Sequence, residues 1–330
     1  MPAGGVLVAM LVCLVLWAFL FSPTLKRSAE ASTEGTRRSV SLAILGPVAA
    51  VSDALRVSVV TDAIVRALGR DDPEAPGAGV VEPPEPIPTV PGDDAEGPNQ
   101  GDPKPTGPIR VPTGKKKLRV VVVGDSLAAG LGTYMERVMK PSLVRVSRQG
   151  QISTGLARPD YFDWPATMRE IVDRFKPDLV VVMIGKNDTQ SLRTPGGRVE
   201  TEIATFGWPD AYAERVRDFM SIATSGGARV VWVGLPVIRD QARWEIIRRQ
   251  NQIFEEAARA EPDVGYLDTW DLYSTPSGGY TAYLHEGNDV IEIRASDGLH
   301  FTPTGYTLLA RAALQVAVDD FQLAEKTIAD

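Results

Sequence analysis

Leu118-Arg119-Val120-Val121-Val122-Val123-Gly124-Asp125-Ser126-Leu127 is the stretch on which the reading of this chain turns. Its first six residues make a continuous, mostly β-branched run, the pattern of a central strand of a parallel sheet buried on both faces. The run stops at a glycine, and Asp-Ser is an ordinary helix cap, so a helix through Tyr134 and Met139 is expected next.

Downstream the same alternation repeats. Leu143–Ser147 predicts a short strand, Pro165–Phe175 a helix, Asp178–Ile184 (DLVVVMI) a buried strand, Asp210–Ala223 a helix, Arg229–Leu235 (RVVWVGL) a third buried strand, Trp244–Ala260 a long helix and Gly265–Leu267 a short strand. Thr302 is a good N-cap with Pro303 at the first helical position, so a last helix should run to about Phe321. Strands alternating with helices predict one doubly wound, mostly parallel α/β sheet.

Upstream the texture differs. Residues 70–117 hold 12 of the 25 prolines, nine acidic residues and no aromatic, too little apolar surface to fold, and they read as a disordered linker. Residues 26–69 carry apolar residues at loosely helical spacing, fitting an amphipathic helix on a membrane surface or one packed on protein. Residues 1–25 have no charged side chain, and at ~1.5 Å per residue a helix of that length reaches about 37 Å, enough for a ~30 Å hydrocarbon layer. They read as a transmembrane anchor, with a cleaved signal peptide as the rival because Ala29-Glu30-Ala31 resembles a cleavage site. Lys26, Arg27, Arg37 and Arg38 follow the segment and argue for a cytoplasmic domain by the positive-inside rule, whereas the long proline-rich tether suits an exported one. The expected location is a membrane-anchored, extracytoplasmic domain of residues 118–330, or a secreted one if the segment is cleaved.

The formal net charge of -7 argues against a nucleic-acid surface. The single cysteine, Cys13, lies in the apolar run, which excludes disulfides, thiol catalysis and cysteine-based zinc sites from the soluble part. No metal-ligand spacing appears, and no cofactor is expected. Gly124, Gly130 and Gly132 do not form a dinucleotide fingerprint, and Ala128 stands where a Gly-x-Ser-x-Gly elbow needs its last glycine.

Three loop positions carry chemistry. Ser126 follows a buried strand and opens a helix, at the carboxyl edge of the sheet, where backbone N–H groups would stabilise a developing oxyanion. A serine alcohol needs a base, and the chain has only two histidines, His285 and His300. His300 has Asp297 three residues earlier, in a turn before the capped helix, so the carboxylate can hold one ring nitrogen while the other faces Ser126. His285 falls in the expected turn of a hairpin between Tyr280–Leu284 and Val290–Ile293. Asn187, in Gly185-Lys186-Asn187-Asp188, follows the strand ending at Ile184 and can donate its amide to an oxyanion, a contribution of about 3 kcal/mol.

Gly124–Leu127, Gly185–Asp188 and Asp297–His300, in that order, resemble the SGNH or GDSL-type hydrolase superfamily over roughly Leu118 to Phe321. The resemblance implies a flavodoxin-like, three-layer parallel sheet of about five strands. It also implies Ser126 as nucleophile, His300 as base, Asp297 as its orienting carboxylate, and an oxyanion hole of Asn187 with two backbone N–H groups, one of them from Ser126. In the glycine block, Ser147 to Leu156, the usual asparagine is missing, and either Gly150 or Gly155 fits; Gly155 is preferred because Ile-Ser-x-Gly resembles the turn used there. Arg158-Pro159-Asp160-Tyr161-Phe162-Asp163-Trp164-Pro165 resembles a bacterial envelope subgroup without an assigned function.

The expected activity is therefore a serine esterase acting on O-acyl, foremost O-acetyl, groups of envelope carbohydrate. If a sugar hydroxyl replaces water, the same site is an acyltransferase supplied by a membrane-bound O-acyltransferase partner; a non-catalytic carbohydrate-binding module is the third reading. Segments Ser191–Trp208 and Ser274–Arg294 flank the site and offer Trp208, Tyr280 and Tyr283 for stacking on a sugar ring.

Overall fold

Strand β1 (Leu118–Gly124) is the second strand of a five-stranded, fully parallel sheet in a computed structural model that describes residues 87–88, 107–286 and 289–329. Its neighbours are β2 (Val144–Gly150) and β3 (Leu179–Met183), followed by β6 (Arg229–Val233) and β7 (Val264–Leu267), giving the order β2-β1-β3-β6-β7. This is the flavodoxin-like arrangement, in which the strand order reverses beside β1 and ligands gather at the carboxyl edge. Val120, Val121, Val122 and Val123 are fully buried, as are all five residues of β3, because helices cover both faces. Each large apolar side chain buried this way contributes about 1.5–3 kcal/mol relative to exposure.

The covering helices are α1 (Ser126–Val138), α2 (Trp164–Phe175), α3 (Trp208–Thr224), α4 (Trp244–Arg259) and α6 (Pro303–Phe321), with a one-turn α5 (Thr269–Leu272) after β7. Their starts follow cap chemistry. Asp125 accepts from the Leu127 N–H, Asp163 from Ala166, and Thr302 from Gly305 ahead of Pro303. Two small antiparallel hairpins project from the loops, β4 (Leu192–Arg193) with β5 (Val199–Thr201) and β8 (Tyr283–Glu286) with β9 (Asp289–Glu292). His285 lies within β8, opposite Val290, and not in the turn as the sequence suggested, because the strands pair further along than the apolar pattern indicated.

The expected membrane segment, residues 1–25, and the helical region, residues 26–69, lie outside the described residues, as do residues 70–86 and 89–106 of the expected linker. Among the described residues no helix is long and apolar enough to cross a membrane. The end of the linker differs from expectation. Ile109 is buried and its N–H bonds the Phe321 carbonyl at 2.8 Å, while Arg110 forms a two-pronged ion pair with Asp178 at 2.7 Å. Proline content hid this docked stretch, since two buried side chains, Ile109 and Pro112, and one bidentate pair leave no periodic signature. Among the described residues, those before Ala295 and those after Asp297 form one compact unit, to which Ala295–Asp297 does not belong.

Candidate active site

At the β1–α1 junction the backbone is forced into a shape that only glycine adopts without strain. Gly124 has φ 138°, and a Cβ there would stand 1.9 Å from the Met183 carbonyl oxygen. The tight turn puts Asp125 at the N-cap and Ser126 at the first position of α1, where the open N–H groups and the positive end of the helix dipole lie. Both side chains are buried.

Ser126 and His300, 174 residues apart in sequence, meet in space: His300 Nε2 lies 2.9 Å from Ser126 Oγ. The histidine is fastened by its surroundings. The buried Arg294 donates to the Leu299 carbonyl at 3.0 Å and to the Val237 carbonyl at 3.1 Å, and its guanidinium lies 3.9 Å from the Phe301 ring centre. Gly298 turns the chain at φ 76°, and its carbonyl accepts from the Arg239 N–H. Two residues beyond His300, Thr302 caps α6, and its N–H bonds the Ile293 carbonyl. Asp297, half-buried, stands three residues before His300.

Two buried aspartates tie the remaining loops to this pair. Asp125 accepts from Leu127 through one oxygen and from the N–H groups of Gly185 (3.2 Å) and Lys186 (3.1 Å) through the other. The turn that carries Asn187 is thereby bonded to the residue before Ser126. Asp188 accepts from the N–H groups of Leu156 (2.8 Å) and Ala157 (2.7 Å) and from the Tyr212 hydroxyl (2.8 Å). Burial pushes the Asp188 carboxyl up from its ordinary value, and those three donors pull it back. Burial and the adjacent Asp188 charge raise Tyr212 well above the ordinary phenol, so its hydroxyl keeps its proton to donate. Neither aspartate stood out in the sequence beyond being a letter of a motif, and Arg294 carried no signal at all.

Asn187 donates through Nδ2 to the Thr154 carbonyl at 3.0 Å, while its Oδ1 is buried with no partner among the described residues. Gly155 follows directly, buried, and a Cβ on it would lie 2.0 Å from Asp188 Oδ1. No hydrogen bond among the described residues uses the Gly155 N–H. Gly150, the other glycine the sequence left open, ends β2 opposite Gly124 and packs on α1, where a Cβ would stand 2.4 Å from the Ala129 backbone. The structure thus brings Gly155 to the turn of Asn187 and sets Gly150 against α1.

The aromatic candidates divide. Trp208 is 1% exposed, stacked on Tyr212 with ring centres 4.8 Å apart and donating to the Gln190 carbonyl, so neither face is open to a sugar. Its expected place in a loop is instead the first turn of α3, whose apolar face it shares. Tyr280 is half-buried, with its hydroxyl enclosed and without a partner among the described residues and the Arg239 guanidinium 5.5 Å from its ring centre. Tyr283 is 47% exposed on β8. His285 is exposed there too.

A family described as "Protein of unknown function (DUF459)" matches residues 119–316. No curated protein matches the chain. Among solved structures the chain is similar to a GDSL-like lipase from Bacteroides thetaiotaomicron, at 18% identity and a TM-score of 0.42 over 62% of this chain and 90% of that one. It is similar to a catalytic mutant of an acetylxylan esterase from Geobacillus stearothermophilus, at 17% identity and a TM-score of 0.42 over 61% of this chain and 94% of that one. It is also similar to the periplasmic domain of a lipopolysaccharide acetyltransferase from Salmonella ser. Paratyphi A, at 15% identity and a TM-score of 0.41 over 63% of this chain and 84% of that one.

Proposed function

The chain belongs to the DUF459 family, and from the buried Ser126–His300 pair we propose that it is an SGNH-type serine esterase that removes O-acyl groups, O-acetyl foremost, from carbohydrate. The observation that carries this reading is the 2.9 Å approach of His300 Nε2 to Ser126 Oγ at the start of α1. A serine hydroxyl bonded to an imidazole at a helix N-terminus is an activated nucleophile beside an electropositive cradle.

Ser126 Oγ attacks the ester carbonyl as His300 Nε2 takes its proton. The carbonyl oxygen becomes an oxyanion, held by the Ser126 N–H, the Gly155 N–H and Asn187 Nδ2. Collapse breaks the carbon–oxygen bond to the sugar, and His300 gives its proton to the departing sugar oxygen, which leaves as a hydroxyl. Water, deprotonated by His300, then attacks the acyl-serine; collapse breaks the acyl–Ser126 Oγ bond, His300 returns the proton to Ser126 Oγ, and the acid is released. Asp297 orients the imidazole and balances the charge it gains in each step.

A second reading rests on the sequence outside the described residues. An apolar segment at residues 1–25 and a proline-rich stretch suit a tethered, extracytoplasmic domain that takes acyl groups from a membrane-bound O-acyltransferase and passes them to a sugar hydroxyl. The chemistry at Ser126 is the same, and only the second nucleophile differs. A binding module without catalysis has no use for a nucleophile and base in hydrogen-bond contact.

The full chain incubated with an aryl acetate, with and without an oligosaccharide acceptor, separates these readings. Hydrolysis abolished by Ser126→Ala, by about three orders of magnitude or more, is the expected result. Unchanged hydrolysis in that variant overturns the nucleophile assignment, and acetyl appearing on the sugar selects transfer.

A further inference from the structure

A cavity of about 450 Å3 lies between the segment before α3 and the first two turns of α4. Ile203, Phe206, Trp208 and Ile246 form its apolar wall, and Glu245 and Arg249 its polar one. It is connected to the candidate site through hydrogen bonds. Trp208, buried in its wall, donates to the Gln190 carbonyl, and Gln190 donates to the carbonyl of Asn187. At its other side Arg243, one residue past Ala242 of the lining, donates to Thr189 Oγ1, two residues after Asn187.

The lining has two features that packing does not explain. Phe206 is fully exposed, an aromatic ring at the rim with no core to join. Glu245 and Arg249 stand four apart on α4, the spacing and order that favour an ion pair, yet their side chains make no ion pair or hydrogen bond among the described residues. Further along the same helix Glu255 and Arg259, spaced identically, do pair at 2.7 Å. An acceptor and a donor left apart across a cavity, beside an open aromatic face, are what a polyhydroxylated ring requires: its C–H face lies on the aromatic ring while its hydroxyls donate to the carboxylate and accept from the guanidinium.

We propose that this cavity is the subsite for the sugar part of the substrate, with one pyranose ring stacked on Phe206 and bonded by Glu245 and Arg249. The assignment rests on the esterase reading above and makes its substrate class specific. Of the three aromatics the sequence offered for stacking, Trp208, Tyr280 and Tyr283, it replaces Trp208 by Phe206, two residues earlier.

The test is a direct titration of the full chain carrying Ser126→Ala with unacylated tetramers of β-1,4-linked N-acetylglucosamine, glucose and xylose, followed by tryptophan fluorescence, to which Trp208 in the wall contributes. At least one tetramer should bind saturably. Adding Phe206→Ala should weaken it roughly tenfold, as a lost stacking contact of about 1.4 kcal/mol implies. Glu245→Gln and Arg249→Gln should each weaken it several-fold, and Tyr161→Ala, which removes another exposed aromatic, should not. No saturable binding of any tetramer, or equal affinity with and without Phe206, overturns the subsite. Hydrolysis of an aryl acetate by the unmodified chain and by Ser126→Ala reports separately on the nucleophile, so a failed subsite and a failed esterase reading give different results.

Discussion

The carboxylate of Asp125 accepts the backbone N–H of Gly185 across 60 residues of sequence, so the residue before the nucleophile also holds the turn that carries Asn187. One side chain thereby caps a helix and sets the distance between two loops.

Removing it should be costly in a way that the isosteric amide separates. Asp125→Ala leaves the buried N–H groups of Leu127, Gly185 and Lys186 without partners, at about 1–3 kcal/mol each, and a total loss of about 3–9 kcal/mol is expected in urea unfolding. Asp125→Asn keeps one accepting oxygen and should fold, with activity toward an aryl acetate lowered about ten- to a hundredfold. Equal activity in wild type and Asp125→Asn would show that the Asn187 turn needs no such tie.

Tyr212→Phe tests the second aspartate and has a pH signature. The phenol lost is one of three donors that hold the raised Asp188 carboxyl down, so in the variant it rises further. A carboxyl raised in the folded state binds its proton more tightly than in the unfolded chain, so its stability contribution is present at low pH and is lost as pH rises through the folded value. The destabilisation by Tyr212→Phe, about 2 kcal/mol near neutrality, should therefore shrink on going down to about pH 4. Denaturant unfolding at a series of pH values measures it; a difference that grows toward acid contradicts the assignment.

Gly155→Ala should be among the most damaging of small substitutions. The added Cβ would meet Asp188 Oδ1 at 2.0 Å, and relief requires moving either the carboxylate or the Gly155 N–H. Loss of an oxyanion donor costs about 10²–10³ in kcat. Gly196→Ala, whose Cβ would meet nothing closer than 3.9 Å, serves as the comparison and should be silent in the same assay.

Arg294→Lys should lower kcat while leaving KM nearly unchanged. The planar guanidinium spans two carbonyls and stacks on Phe301, and a lysine ammonium can do only part of that. Because Arg294 is buried and reaches the carbonyl of Leu299, the residue before His300, its loss should appear as misplacement of His300. Circular dichroism that remains native beside a kcat reduced about tenfold is the expected pair of results.

Legibility followed the physics of each residue. The valines of β1 are hydrophobic on both faces of the strand, so their burial could be read directly, as could the Thr302-Pro303 start of α6, which depends on two adjacent side chains. Ile109 could not be read, since it and Pro112 are isolated buried residues in a proline-rich stretch and have no period. Trp208 was expected in an open loop and is buried, because burial of an aromatic depends on what folds over it, here Tyr212 on its own helix. Asp125 and Asp188 were visible as motif letters, but the partners that tie them to other elements lie from 24 to 61 residues away.

Sequence alone determined the alternation of strands and helices, the caps, and the scarcity of histidine that singled out His300, all properties of a residue and its near neighbours. The tertiary structure decided which groups touch: His300 with Ser126, Asp125 with the Gly185 turn, Asp188 with the Gly155 segment, and Phe206 open at the rim of a cavity. Those contacts arise from the order in which the strands assemble, β2-β1-β3-β6-β7, which carries loops distant in sequence to one edge of the sheet.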